Sequence, residues 1–380
     1  MQLDLLINNG YVVDPISGIN GICPVGVKGN RIVDVRGEDV TSVRTIDASG
    51  CCVLPGLIDF HTHLNFDGSS LGSPPNCLMA TGVTTAVDAG STGCLTFPAF
   101  YKNTMVNSMI RTKAYLSVCS TGIGGGKFVE NFDPGLFDKE RIALTMNRYP
   151  EQLLGLKIRL SLPLVDSIRP LLKTIEIAEE LNVPVCVHTT NPPCDIEALV
   201  DVLRPGDIFC HVYHGKGATI LNPQGKILPA VRDARTRGVL FDVAHGNNHF
   251  SNDVCLKTLD QDFPPDVIST DMTWDKMFYG LRARTLPFVM SKFLSLGMSL
   301  EETVRCTTEV PARLMGMEGQ IGTLSAEAYA DIVIFKLAER QFPSVDYRGE
   351  LYTCTKMLIP QMTIADGNIV FGQMDFSLVQ

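Results

Sequence analysis

No apolar run in this chain reaches the roughly 18 uninterrupted residues of a membrane-spanning helix, and none of its 12 cysteines stands in a C-x-x-C pair. A membrane partner is therefore not expected, and a dithiol redox motif is excluded. Charge is sparse: Asp, Glu, Lys and Arg make up 19% of the residues, with 32 basic against 41 acidic and a net charge of −9. No Lys/Arg cluster forms a stripe that could track phosphates, so nucleic acid is not an expected partner. Met1-Gln2-Leu3-Asp4 places an acid where a secretory signal carries positive charge, which points to the cytoplasm. There, scattered cysteines such as Cys119, Cys186, Cys210 and Cys306, and the vicinal Cys51-Cys52, are expected to be reduced, buried small hydrophobes.

What the chain does have is apolar mass: 45% of its 380 residues are hydrophobic, enough for two domains, or one large domain with an accessory. Residues 1–53 read as short strands separated by Gly and Asn turns, as in Asp4-Leu-Leu-Ile-Asn-Asn-Gly-Tyr-Val-Val. After Pro55, apolar β-branched runs alternate with amphipathic helical patterns. Eight such runs centre on Leu57–Phe60, Thr85–Asp88, Ala114–Val118, Leu154–Ile158, Val183–Val187, Ile208–Val212, Val239–Val243 and Val267–Thr270. At a mean spacing of about 30 residues they predict an α/β fold, a (β/α)8 TIM barrel over 54–324. A doubly wound open sheet more often stops at five or six strands. Strand patterns return at Ala330-Asp-Ile-Val-Ile-Phe and Asn368-Ile-Val-Phe-Gly. Neither end has enough strands for a core of its own, so 1–53 and 325–380 are expected to build one small β-sandwich domain together.

All seven histidines fall between residues 61 and 249, each at or just past the end of an expected strand. In a barrel those carboxyl ends form the catalytic face. His61-Thr62-His63 closes the first strand, and alternation with period two turns both imidazoles to one side, where they can grip a single ion. Lys157 lies in the apolar run Leu154-Gly-Leu-Lys-Ile-Arg-Leu, where a charged amine is costly unless paired or modified; a buried salt bridge to Asp271 is the structural alternative. His188 ends the fifth run, His211 lies on the sixth, and Asp271 follows the eighth. Asp271 reads either as a helix cap or as a carboxylate that binds a metal and takes a proton from its water.

With these residues in place, Val53-Leu-Pro-Gly-Leu-Ile-Asp-Phe-His-Thr-His, Gly319-Gln-Ile-Gly-Thr-Leu and Ala330-Asp-Ile-Val-Ile-Phe give the chain a resemblance to the amidohydrolase superfamily. Within it, the dihydroorotase/hydantoinase-like branch with its D-aminoacylase and deacetylase types is the most similar. The resemblance implies a binuclear centre of two divalent ions, expected to be Zn²⁺, with His61 and His63 on one ion and His188 and His211 on the other. It also implies an N-carboxylated Lys157 bridging the two, and Asp271 as ligand and catalytic general base. Lys157-Ile-Arg159, His211-Val-Tyr-His-Gly-Lys216 and Phe241-Asp-Val-Ala-His-Gly246 resemble the deacetylase type, which makes Arg159 a candidate carboxylate anchor and His245 and His214 candidate substrate contacts.

The implied activity is metal-dependent hydrolysis of an N-acyl or O-acyl bond in a small carboxylate-bearing substrate, by a hydroxide held between the metals; opening of a cyclic amide is the alternative. A catalytically silent assembly protein is a third reading, whose mark would be lost ligands, and all six expected positions are filled. Self-association is left open. Gly68-Ser-Ser-Leu-Gly72 matches G-x-S-x-G and would nominate Ser70 as a nucleophile, but that motif needs a strand before it and a helix after. Ser120-Thr-Gly-Ile-Gly-Gly-Gly-Lys-Phe-Val-Glu130 reads as a substrate lid rather than a P-loop, since Phe128 stands where Ser or Thr is required.

Overall fold

The expected alternation of strands and crossovers is realised as one curled parallel sheet. In a computed structural model, which describes residues 1–125, 128–278 and 285–377, seven strands join this sheet in chain order: Leu57–Thr62, Val83–Gly93, Arg111–Ser117, Leu153–Arg159, Val185–His188, Ile208–Cys210 and Leu240–Asp242. Parallel neighbours require long connections, and helices such as Arg169–Leu181 and Pro229–Arg237 supply them, each with an apolar face on the sheet.

The eighth run does not form a regular strand. Residues 267–272 make two isolated parallel bridges instead, Val267 to Asp242 and Met272 to Thr62, and so connect the last strand to the first. Side-chain carboxylates take over part of the ladder here. Asp59 accepts hydrogen bonds from Thr270 N at 3.1 Å and Thr270 Oγ1 at 2.7 Å, and Asp242 accepts one from Ser269 Oγ at 2.5 Å. Burial pushes the Asp59 carboxyl up to about 7 against those bonds.

The ends of the chain form two further sheets. One contains Gln2–Asn8, Val25–Lys28, Arg31–Val33 and Thr41–Asp47; the other joins Tyr11–Asp14, Ile19–Ile22 and Cys52–Pro55 to Ile332–Val345, Leu351–Ala365 and Asn368–Gly372. Leu5, Ile7, Val27 and Ile46 of the first share a buried cluster with Val53, Ile332, Ile334 and Ile364 of the second. The 14- and 15-residue strands of the C-terminal hairpin are longer than the sequence pattern suggests. Their polar distal halves are held against the barrel by Tyr352 Oη, which donates to Ser295 O at 3.0 Å, and by Leu358 N, which donates to Ser291 Oγ at 2.9 Å.

All 12 cysteines are free, including Cys51 and Cys52. Among the described residues no helix is long and apolar enough to cross a membrane.

Candidate metal centre

Strand order brings His61, Lys157, His188, His211 and Asp271 to one end of the curled sheet. They surround a cavity of about 230 Å³ whose lining includes His61, His63, Lys157, His188 and Asp271. His63 Nε2 lies 3.1 Å, and His61 Nε2 3.9 Å, from Asp271 Oδ1. The expected turn of both imidazoles to one side is therefore present. Across the cavity, His211 Nε2 is 2.9 Å from His188 Nδ1. A third imidazole joins them: His249 has its ring centroid 4.2 Å from that of His211, and its Nε2 3.7 Å from Asp271 Oδ2.

The far nitrogens of these rings are anchored, which sets their tautomers. His61 Nδ1 donates to Asp242 Oδ2 at 3.1 Å and His211 Nδ1 to Ala244 O at 2.7 Å, while His63 Nδ1 meets Ser91 Oγ at 2.9 Å. Because a carboxylate and a carbonyl only accept, His61 and His211 carry their proton on Nδ1 and keep a lone pair on Nε2, which faces Lys157 Nζ in His61 and His188 Nδ1 in His211. Burial, with Lys157 adding to it, takes His61 down to about 4; burial and neighbouring imidazoles take His188 and His211 well below their ordinary value, and His249 falls to about 3. These rings are neutral donors near pH 7.

Asp271 is more strongly constrained. Burial pushes its carboxyl up, but the Lys276 ammonium and the His63 hydrogen bond outweigh that and hold it well below the ordinary carboxylate range. Lys276 Nζ donates to Asp271 Oδ2 at 2.8 Å and to its carbonyl at 2.6 Å. Backbone geometry adds to the constraint: His211 has φ 63° and Asp271 φ 53°, left-handed conformations that cost non-glycine residues free energy and persist only where surroundings enforce them. At Asp271 one enforcing contact is the bond from its N–H to His61 O, 2.7 Å long.

The salt bridge considered for Lys157 is not formed. Its Nζ lies 3.3 Å from His61 Nε2, 3.4 Å from Cys186 Sγ and 4.0 Å from Cys210 Sγ, while Asp271 is taken by Lys276. Burial works against the Lys157 charge and the two sulfurs favour it, with a net direction upward. A cation so close to His61 Nε2 is incompatible with a divalent ion on that lone pair, so the donor set fits metal only if Lys157 loses its charge. With that condition, two donor groups fit an ion each: His61, His63 and Asp271, and His188, His211 and His249.

Room for the Lys157 stem comes from Gly90, where a Cβ would fall 2.5 Å from Lys157 Cγ and φ is +84°. Gly90→Ala is expected to cost about 1–3 kcal/mol of stability through overpacking and to lower retained metal. Elemental analysis of the Zn²⁺-treated variant checks this, and wild-type metal content would refute the packing argument.

Arg159 lines the cavity, but Glu130, which sequence reasoning did not single out, already binds it. His245 is buried away from the cavity lining, stacked on Phe250 with centroids 4.2 Å apart and 3.2 Å from Lys292 Nζ. His214 is also buried outside that lining. Neither is among the residues that line this cavity. His249 and Lys276 take their places on the wall. Asp242 had a readable signal, an acid inside the apolar run Val239–Val243, whereas Lys276 had none.

Ser70 sits in a turn, with its Oγ donating to Gly124 O at 3.4 Å. There is no strand-to-helix elbow at this position. Gly126 and Lys127 of the expected lid lie outside the described residues; Ile123 and Leu71 form part of the cavity wall.

The Amidohydrolase family profile matches residues 265–370. Along most of its length the chain is 28% identical to a deacetylase of Brucella anthropi, covering 85% of this chain and 80% of that protein. It is 27% identical to a deacetylase of Enterococcus faecalis over 97% of this chain and 99% of the other. Among solved structures, an adenine deaminase superposes with a TM-score of 0.86 at 25% identity, over 98% of this chain and 100% of that one. A dihydroorotase does so with a TM-score of 0.84 at 26% identity, over 97% and 98%. The family profile is confined to the C-terminal part of the chain, whereas the likenesses to the deacetylases and to the two solved structures run over most of it, and together they support placing the chain in the amidohydrolase superfamily.

Proposed function

We propose that this protein is a metal-dependent hydrolase of the deacetylase type, cleaving an N-acyl or O-acyl bond in a small carboxylate-bearing substrate. The observation that carries the reading is the placement of Asp271 between two groups of buried or half-buried imidazoles, in a chain similar over most of its length to proteins named deacetylases. His61, His63 and Asp271 would hold one divalent cation, and His188 and His211, with His249 beside them, a second; a carboxylated Lys157 would join the two. Nitrogen and oxygen donors of this kind suit Zn²⁺. When bound, such cations supply electrophilic activation of water and of the scissile carbonyl.

The chain's own residues do the rest. Asp271, ionised near neutral pH and held by Lys276, takes a proton from the attacking water and passes it to the leaving group. Arg159 orients the substrate through its carboxylate. In the same reading, residues 54–324 form the (β/α)8 unit, and 1–53 with 325–380 form a β-sandwich domain.

Opening of a cyclic amide is the second reading, favoured by the likeness to a dihydroorotase structure. A hydrolysis screen of N-acetyl amino acids, acetylated 2-hydroxy acids, dipeptides, hydantoins and dihydroorotate separates the two. The proposal expects turnover in the acyclic set, and turnover confined to hydantoins or dihydroorotate overturns it. On a turned-over substrate, Arg159→Met is expected to raise KM more for the carboxylate than for its neutral amide analogue. Equal effects on both would remove the anchor role.

A further inference from the structure

Two cavities meet at one ion pair. The inner one, of about 230 Å³, holds the metal-binding groups and has Arg159 in its wall. The outer one, of about 780 Å³, lies between residues 129–135 and 163–170 and has Glu130 in its wall. Arg159 Nη1 donates to Glu130 Oε2 across the partition.

The two partners are unequal. The Arg159 side chain is 32% exposed, whereas that of Glu130 is 5% exposed, and Glu130 Oε1 is buried with no hydrogen-bond partner among the described residues. Leaving a buried carboxylate oxygen unsatisfied is costly, and burial pushes the Glu130 carboxyl upward against the pull of Arg159. The bond to Glu130 also engages one guanidinium nitrogen, although Arg pairs best with a carboxylate through two.

The geometry points to Glu130 as a specificity-determining residue that occupies Arg159 in place of the substrate's carboxylate and yields it only to another anion. The inference rests on Arg159 being the substrate anchor. A carboxylate entering from the outer cavity takes the fork of the guanidinium, and Glu130 turns into the outer cavity, where water satisfies both its oxygens. Arg159 stays paired throughout. A neutral analogue cannot make this exchange, because drawing Glu130 away would leave the guanidinium without an anion. Glu130 thus competes with the substrate's carboxylate but not with a neutral ligand that leaves the pair in place, so its charge sets how far the site prefers the anion.

The test is calorimetric binding to the metal-loaded protein of succinate and of its neutral counterpart succinamide. Glu130→Gln removes the competing charge and is expected to raise the ratio of succinate to succinamide affinity about tenfold. Succinate is also expected to speed amide hydrogen exchange in residues 128–135 of the wild type, since it releases Glu130. A lower affinity ratio in Glu130→Gln, or protection of 128–135 by succinate, would make Glu130 a fixed support for Arg159 and overturn the proposal. If instead Arg159→Met leaves the ratio at its wild-type value, the anchor reading itself fails, and the exchange fails with it.

Discussion

Asp271→Asn is expected to lower kcat by about 10² to 10⁴, the usual worth of a positioned general acid/base. The substitution keeps the size of the side chain but removes its ability to take a proton near pH 7. In the native protein that ability depends on the balance at this site: burial opposes the charge on Asp271, and the Lys276 ammonium and the His63 hydrogen bond restore it. Asparagine should also weaken the grip on the ion proposed for His61, His63 and Asp271, so metal content must be measured alongside the rate. A kcat within a factor of about three of wild type, with both ions retained, would refute the general-base role.

The second large effect is expected at Lys157. Lys157→Ala removes the only side chain proposed to join the two ions, and both metal content and turnover should fall by about tenfold or more, beyond the loss typical of an outer contact. Short carboxylic acids such as acetate should partly restore both, by standing where the carbamate would lie. The cavity left beneath them is small and lined by Cys186 and Cys210, whose sulfurs are 3.2 Å apart, so the fold itself should survive. Full metal and full turnover in Lys157→Ala would reduce Lys157 to a structural residue, and elemental analysis with a rate measurement decides it.

Much of the centre was legible because strand ends are legible. An apolar run followed by a histidine says that the chain leaves a buried sheet at a polar point, and His61, His63, His188, His211 and Asp271 all announce themselves in that way. Lys157 does so by contrast, as a charge within an apolar strand. The barrel itself follows from the repetition of such runs. Its eighth member was legible only as a hydrophobic pattern, since the carboxylates of Asp59 and Asp242 replace part of its backbone ladder, and no sequence period reports a side chain acting as a strand's hydrogen-bond partner.

Roles that depend on pairing were decided by the tertiary structure. Lys276 bonds to Asp271, and Lys157 does not, because the chain turns at a left-handed Asp271 and brings a residue five positions later back onto it. His249 reaches the cavity while His245, four residues earlier, is drawn away to Phe250 and Lys292. Glu130 meets Arg159 from the segment after the third strand, 29 residues away in sequence. Local pattern alone determined which residue types end each strand, since burial and side-chain alternation act over a few neighbouring positions. Only the closed sheet decided which of those side chains share a cavity, because contacts between strands and loops distant in the chain are set by packing and not by spacing.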